Sequence, residues 1–147
     1  MKNKKIRLIV ILVIILIIID QTSKILVSNL LTESIGNNFF KLEIVNNTGM
    51  AFGFNDGNAK NIVLTIFVLA IIISFVKNQL DRIDTRTSIA IGLVLGGACS
   101  NFVDRIFRGS ILDFIKIYKI PNFNFADLCI VIGWILIIIF LVDFTRK

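Results

Sequence analysis

Four long apolar segments divide the chain. They run from Ile6 to Ile19, Ile62 to Val76, Ser88 to Val103, and Ala126 to Phe144. Each is slightly shorter than the roughly 20 residues that cross a hydrocarbon core, so polar residues that flank them must lie at membrane depth. The pattern predicts four transmembrane helices in one integral membrane domain that covers residues 1–147. The predicted spans are approximately 6–27, 61–77, 87–104 and 125–144.

The polar segment between the first two spans carries strand and turn signals. FFKLEIV, residues 39–45, alternates apolar and polar positions, and NNTG and NDGN are typical turn sequences. We therefore expect an all-α membrane protein with a short β-containing loop. The aromatic and turn residues from Asn47 to Phe54 also suggest that this loop closes over a site as a lid.

Composition supports a membrane location. Hydrophobic residues make up 56% of the 147 residues, and the mean hydropathy is +0.86, which excludes an ordinary water-soluble domain. The basic start and the apolar run that follows it resemble a cleavable secretory signal. No small-x-small cleavage site follows, however, and polar residues continue at helical spacing from Asp20, so we expect a retained first span.

Basic residues predict the orientation of the spans. They cluster at the two ends of the chain and between the second and third spans. These residues are Lys2, Lys4, Lys5, Arg7, Lys77, Arg82, Arg86, Arg146 and Lys147. The positive-inside tendency then predicts that both termini are cytoplasmic and that the two longer loops face outward. Because this explains most of the formal charge of +6, we expect no nucleic-acid partner.

Polar residues converge on the predicted outer side of the membrane. They are Asp20, Asn101, Asp104, Arg105, Asn124 and Asp127. Ionisable residues at membrane depth are costly and mark a functional site by default. Gly92 and Gly96 predict close helix contacts in the third span, where Gly97, Asn101 and Asp104 share one helical face.

The residue inventory limits the reactions that are possible. The chain has no histidine, so Ser-His-Asp and Cys-His catalysis and a typical histidine-containing zinc site are excluded, and we expect neither a metal nor a cofactor. A Ser-Lys hydrolase stays open through Lys24 and Ser28, which are four residues apart, and less well through the adjacent Ser23. A pair of carboxyl groups that shares one proton is the stronger alternative, because one acid takes a proton from water while the other donates to a carbonyl.

Spacing alone does not choose the two acids. The outer-side candidates are Asp20, Asp104, Asp113 and Asp127. Asp104 adjoins Arg105, which favours an ionised structural pair, whereas Asp113 lies between two apolar residues without evident local compensation. That difference favours Asp113.

Each polar motif also has a purely structural interpretation. Asn124 and Asp127 have the spacing of a helix N-cap and an acid in the first turn. Asp20 and Lys24 have the spacing of a helical ion pair. The sequence Asn47-Thr48-Gly49 is compatible with a simple turn, and Cys99 and Cys129, inside apolar runs, are expected to be packed free thiols.

Two other function classes remain open. A proton-coupled transporter also keeps acids within the membrane, but it distributes them toward the bilayer midplane, whereas these acids cluster at one side. A structural scaffold or assembly factor would tolerate neutral replacements of Asp113 and Asp127.

Five motifs, in order along the chain, resemble the bacterial lipoprotein signal peptidases, or type II signal peptidases. They are DQTSK (20–24), NTGMAF (47–52), GACSNFVDR (97–105), LDF (112–114) and FNFAD (123–127). The resemblance implies a membrane aspartic endopeptidase that removes signal peptides from diacylglyceryl-modified prolipoproteins and cuts just before the lipidated cysteine. It implies a multi-pass protein of the bacterial cytoplasmic membrane, with membrane lipid as a partner and the active site near the outer leaflet.

The resemblance also assigns residues to roles. It implies that Asp113 and Asp127 are the catalytic pair and that Asp104 is structural. The residues implied to support the site or bind substrate are Asp20, Asn47, Gly97, Asn101, Arg105, Asn124 and Ala126. Met50 stands where the family commonly has alanine, and Cys99-Ser100 replace a more usual Leu-Gly. These departures are expected to change groove packing or helix contacts without touching the acids.

Overall fold

The computed structural model describes residues 2–49, 58–79, 81 and 83–145. Within these ranges the chain forms four α-helices and three β-strands. The helices are α1 (Lys2–Leu30), α2 (Asn58–Gln79), α3 (Thr85–Phe107) and α4 (Phe125–Thr145), and the strands are β1 (Ile35–Gly36), β2 (Phe40–Asn47) and β3 (Ile111–Ile117). The predicted fold class, helical membrane protein with a β-containing loop, is confirmed. Met50, most of the expected lid, Arg82, Arg146 and Lys147 lie outside the described residues.

The helices carry apolar side chains on their outer surfaces. The buried residues of α1 are Ile9, Asp20 and Lys24, whereas Ile11 and Ile18 are more than half exposed. An apolar exterior with polar groups turned inward is the arrangement that lipid requires. In the part of the chain that is described, α1, α2 and α3 are each long and apolar enough to cross a membrane. The 21-residue α4 extends roughly 31 Å.

The central helix is α3, which packs against both α1 and α4. It begins after Asp84, whose carboxylate accepts a hydrogen bond of 2.8 Å from the Thr87 backbone N–H and so caps the helix. A Cβ atom added at Gly92 or Gly96 would lie 2.9 Å or 2.7 Å from a leucine side chain of α1. The predicted close contact at these two glycines is confirmed.

The sheet is antiparallel, with β2 between β1 and β3. The strand predicted from FFKLEIV is confirmed as β2. The segment between the third and fourth spans was predicted as a loop, but residues 111–117 form β3, because the sequence ILDFIKI finds backbone partners along β2. In this register Asn47 pairs with Ile111, so the end of β2 lies beside the start of the strand that carries Asp113.

Candidate active site

Asp113 and Asp127 line the same cavity, although one is in β3 and the other is in the first turn of α4. The cavity has a volume of about 1190 Å³ and is bounded by the sheet and by α2, α3 and α4. Asn47, Asn101 and Arg105 line it as well. The structure thus gathers five of the residues that the sequence selected around one space.

Asp113 is held by two asparagine side chains. Its Oδ1 accepts a hydrogen bond of 2.7 Å from Asn124 Nδ2, and its Oδ2 accepts one of 3.0 Å from Asn47 Nδ2. The residue is 1% exposed, and this burial raises the pKa of Asp113 to about 6. The negative charge of Asp127 contributes to this increase in the pKa, while the two asparagine hydrogen bonds oppose it. Below about pH 6, Asp113 therefore carries a proton.

Asp127 is held at the start of α4 by a reciprocal pair of hydrogen bonds. Its backbone N–H donates to Asn124 Oδ1 at 2.9 Å, and its Oδ2 accepts from the Asn124 backbone N–H at 3.2 Å. This is a capping box, so the structural interpretation of Asn124 and Asp127 is confirmed. The other carboxylate oxygen, Oδ1, accepts a hydrogen bond of 2.7 Å from Asn101 Nδ2.

Two asparagines serve local backbone structure and the candidate site at the same time. The side-chain oxygen of Asn124, Oδ1, caps α4, while its side-chain nitrogen, Nδ2, donates to Asp113. In the same way, Asn47 Oδ1 accepts from the Gly49 backbone N–H at 3.1 Å while Asn47 Nδ2 contacts Asp113. The predicted turn at Asn47 is thus confirmed. The amide group explains why asparagine suits both positions, since an aspartate would keep the acceptor but lose the donor.

The dual role of Asn124 gives a testable prediction. Serine is an equally good N-cap, but its side chain is too short to cap the helix and also replace the Asn124 Nδ2 contact with Asp113. We expect Asn124→Ser to keep the helix cap but to lose about 1–3 kcal/mol of stability, because buried acceptors on Asn101 and Asp113 lose their donor. We expect kcat to fall by roughly 10-fold or more, because the link to Asp113 is lost. Asn124→Ala is the matched comparison, and it should lose about 1 kcal/mol of stability more than Asn124→Ser. Equal kcat for wild type and Asn124→Ser would contradict the proposed link.

Asp20 and Asp104 lie in a buried ion cluster with Lys24. Lys24 Nζ is 2.6 Å from Asp20 Oδ2 and 2.7 Å from Asp104 Oδ2, so the predicted ion pair between Asp20 and Lys24 is confirmed. The prediction for Asp104 considered only its neighbour Arg105, but Lys24 and Arg108 both form ion pairs with it. Arg105 instead contributes to the cavity lining. Asp20 and Asp104 are therefore engaged in ion pairs within the bundle, whereas Asp113 and Asp127 line the cavity.

The sequence reasoning missed several members of this cluster. Gln21 Nε2 donates to Ser100 Oγ at 3.1 Å and to Asp104 Oδ1 at 3.0 Å, and Gln21 Oε1 accepts from Arg108 at 2.8 Å. Arg108 was detectable, because it follows Asp104 by four residues and so shares its helix face. Lys24 was considered only as a partner of Asp20 or of a serine.

The geometry does not support a Ser-Lys site. The Ser23 hydroxyl donates to the Asp20 carbonyl at 2.7 Å, and the Ser28 hydroxyl donates to the Ile25 carbonyl at 2.9 Å. Both serines thus bond to the backbone of their own helix, while the Lys24 amine is engaged by two carboxylates. No hydrogen bond links the Lys24 amine to either serine, as a Ser-Lys site requires.

Gly97 and Ala126 lie where α3 and α4 come closest. A Cβ atom at position 97 would overlap the carbonyl oxygen of Ala126 and would lie 2.8 Å from the Ile130 side chain. Ala126 is 2% exposed, and its backbone N–H donates to Asp20 Oδ1 at 3.0 Å. These two residues therefore position the helix that carries Asp127.

Among the residues that the structure describes, no group of three or more Cys, Asp or Glu side chains is arranged to hold a metal ion. The predicted free thiols are confirmed, since Cys99 and Cys129 are both unpaired and partly buried. The polar lining of the cavity includes two acids, four side-chain amides, a guanidinium and the ammonium of Lys116, which are groups suited to proton transfer and to binding a peptide carbonyl.

Comparisons with known proteins agree on one family. The family model described as Signal peptidase (SPase) II matches residues 12–143. A "Lipoprotein signal peptidase" of Symbiobacterium thermophilum is 34% identical, over 94% of this chain and 96% of its own length. A protein of the same name from Fusobacterium nucleatum is 35% identical, over 92% of this chain and 87% of its own length.

Solved structures agree with the sequence comparisons. One, described as a bacterial membrane enzyme, has a TM-score of 0.80 and 30% identity, and the match covers 93% of this chain and 88% of the other. A second with the same description has a TM-score of 0.76 and 28% identity, and the match covers 90% and 91% of the two chains.

Proposed function

The chain belongs to the signal peptidase II family, whose members remove signal peptides from lipoproteins, and on that premise we propose a membrane aspartic endopeptidase. Its substrates are diacylglyceryl-modified prolipoproteins, and it cleaves just before the lipidated cysteine. One observation carries the proposal: Asp113 and Asp127 line one cavity and are joined through Asn124.

The contacts of the four candidate acids support this choice of pair. Asp20 and Asp104 each contact the Lys24 ammonium. Asp113 and Asp127 instead accept hydrogen bonds from neutral amides. An acid beside a cation stays ionised, whereas an acid held by neutral donors in a buried site can keep and transfer a proton.

In the proposed mechanism the two acids share one proton and activate one water molecule. Asp113, whose pKa is raised to about 6 by burial, donates its proton to the scissile carbonyl oxygen. Ionised Asp127 takes a proton from the water, whose oxygen adds to the carbonyl carbon. The tetrahedral intermediate then collapses: the C–N bond breaks, the leaving nitrogen receives the proton from Asp127, and one hydroxyl of the intermediate returns its proton to Asp113. The products are a free carboxyl and a free amine, and no covalent enzyme intermediate forms.

The pH dependence follows from the direction of the pKa shift. As the pH rises through the raised pKa of Asp113, the shared proton is lost and both acids become ionised, so cleavage falls on the alkaline side. Bound substrate removes further water from the site and moves this limit to higher pH.

The apolar lining of the cavity supports a lipid-bearing substrate. Leu64, Val68 and Leu69 of α2 and Ile130 of α4 line the cavity that also contains the acids. Acyl chains or an apolar signal sequence can occupy such a surface while the scissile bond meets the carboxyl groups. A substrate already in the membrane then enters sideways between the helices.

We place the protein in the bacterial cell membrane with both termini in the cytoplasm. The basic residues that flank the spans support this orientation. Asp104 near the end of α3 and Asp127 in the first turn of α4 are linked to Asp20 of α1 through Lys24 and Asn101, so these acids lie toward one end of the bundle. With cytoplasmic termini, that end lies near the outer leaflet.

Substrate selectivity tests the proposed specificity. The purified protein in lipid would be given one prolipoprotein in two forms, with and without the diacylglyceryl group. We expect kcat/KM to be at least about 100-fold higher for the modified form, because each buried methylene contributes about 0.8 kcal/mol of binding. Equal kcat/KM for the two forms would show that the lipid is not recognised.

A further inference from the structure

Lys24 is the most deeply buried cation that the described residues contain. Its side chain is 0% exposed, and its ammonium lies between Asp20 and Asp104 at 2.6 Å and 2.7 Å. Arg108 pairs with the second oxygen of Asp104, so two cations balance two carboxylates. Buried ion clusters are often no more stable than apolar replacements, so stability alone does not account for this one.

The two carboxylates that bind Lys24 each hold a backbone N–H next to one proposed catalytic acid. Asp20 Oδ1 accepts from the N–H of Ala126, the residue before Asp127, at 3.0 Å. Asp104 Oδ2 accepts from the N–H of Leu112, the residue before Asp113, at 3.2 Å. One ammonium is therefore linked, through one carboxylate on each side, to both segments that carry the pair.

We propose that Lys24 is a positioning residue that, through Asp20 and Asp104, sets the separation between Asp113 and Asp127. The inference rests on the proposed function, because it takes those two acids as the catalytic pair. A dyad needs a fixed separation, since the acids must hold one proton between them and reach the same water molecule.

A third contact of Lys24 supports this role. Its ammonium donates to Asn101 Oδ1 at 3.2 Å, and Asn101 Nδ2 donates to Asp127 Oδ1 at 2.7 Å. An ammonium has donors only, so it orients the Asn101 amide with the oxygen toward itself. The amide nitrogen is thereby directed at Asp127.

A positioning role and a merely stabilising role differ in the pH profile of kcat/KM. Two coupled acids give a profile with an acidic limb and an alkaline limb, and the pH interval between the two limbs widens as the acids come closer. A weaker link between the two acids narrows this pH interval. Loss of a nearby charge alone moves both limbs in the same direction, and loss of stability alone lowers the amount of active enzyme without moving either limb.

The test compares Asp104→Asn with Asp81→Asn. The first variant weakens the link between Lys24 and Leu112, while Asp20 still pairs with Lys24. The second removes the same charge from an exposed ion pair with Lys2 at 3.3 Å. For Asp104→Asn we expect kcat per folded enzyme to fall roughly 10- to 100-fold, KM to change less than about 2-fold, and the two pH limbs to approach each other. Asp81→Asn should match the wild type.

Thermal unfolding and circular dichroism establish the folded fraction of each variant. If Asp104→Asn does not fold, Asp20→Asn applies the same test from the side of Ala126 and Asp127. A folded variant with the wild-type kcat and the wild-type spacing of the limbs would overturn the proposal. Activity retained in Asp113→Asn or Asp127→Asn would instead overturn the dyad itself, so the two failures are distinguishable.

Discussion

Asp113→Asn and Asp127→Asn are each expected to lower kcat by roughly 10²- to 10⁴-fold while the protein remains folded. An asparagine keeps the size of the side chain and one acceptor oxygen, but it can neither hold nor transfer the shared proton. Turnover of a lipidated prolipoprotein by the purified variants measures the loss, and thermal unfolding establishes that the fold persists.

The double variant sharpens this prediction. Because the two acids act as one unit, Asp113→Asn combined with Asp127→Asn should be no slower than the slower single variant, within a factor of about 3. Losses that multiply would mean that the two residues act independently. Near wild-type turnover in either single variant would remove that residue from the catalytic pair.

Gly97→Ala is expected to lower both stability and activity, although position 97 carries no side-chain chemistry. The added Cβ would overlap the Ala126 carbonyl oxygen, which is backbone and cannot rotate away. Alanine gains up to about 1 kcal/mol in helix propensity, whereas overpacking of this kind costs about 1–3 kcal/mol. We therefore expect lower stability, and a kcat at least about 10-fold lower because α4 carries Asp127 one residue further on.

Gly96→Ala is the matched control on the same helix. Its Cβ would lie 2.7 Å from Leu16 Cδ1, the far end of a flexible side chain. We expect kcat to stay within about 2-fold of wild type, since Gly96 faces α1 rather than the start of α4. Equal losses of kcat in the two alanine variants would show that displacement of α4 is not the cause. Thermal unfolding and kcat measured on the same preparations separate stability from activity.

Much of the architecture follows from local sequence patterns. The long apolar runs predict the helices because a membrane leaves few other structures available to the backbone. The cap at Asn124 and the ion pair between Asp20 and Lys24 follow from contacts within a single helical turn or two. Each is visible in the sequence because its partners are close along the chain.

The contacts that assemble the candidate site are not local. Asn47 and Asp113 are 66 residues apart and meet because β3 pairs with β2, which no local pattern specifies. The partner of Asp104 was sought in its neighbour Arg105, but adjacent helical residues point about 100° apart, and the i+4 residue Arg108 shares the face. Lys24 reaches Asp104 across two helices that only the folded structure brings together.

The arrangement of charge also separates the function classes that the sequence left open. Asp20 and Asp104 are bound to a common cation, and Asp113 and Asp127 share one cavity near the junction of β3 and α4. A transporter would need ionisable groups that continue toward the bilayer midplane. The proposed aspartic peptidase needs two acids beside one cavity, and the position of Asp113 and Asp127 supports that proposal.

Identification of the cleavage products tests the central claim most directly. The purified wild-type protein in lipid would be incubated with a diacylglyceryl-modified prolipoprotein, and the product masses would be measured. We predict two products: the intact signal peptide with a free carboxyl group, and the mature lipoprotein that begins at the lipidated cysteine with a free amine. No cleavage, or cleavage at another peptide bond, would contradict the assignment.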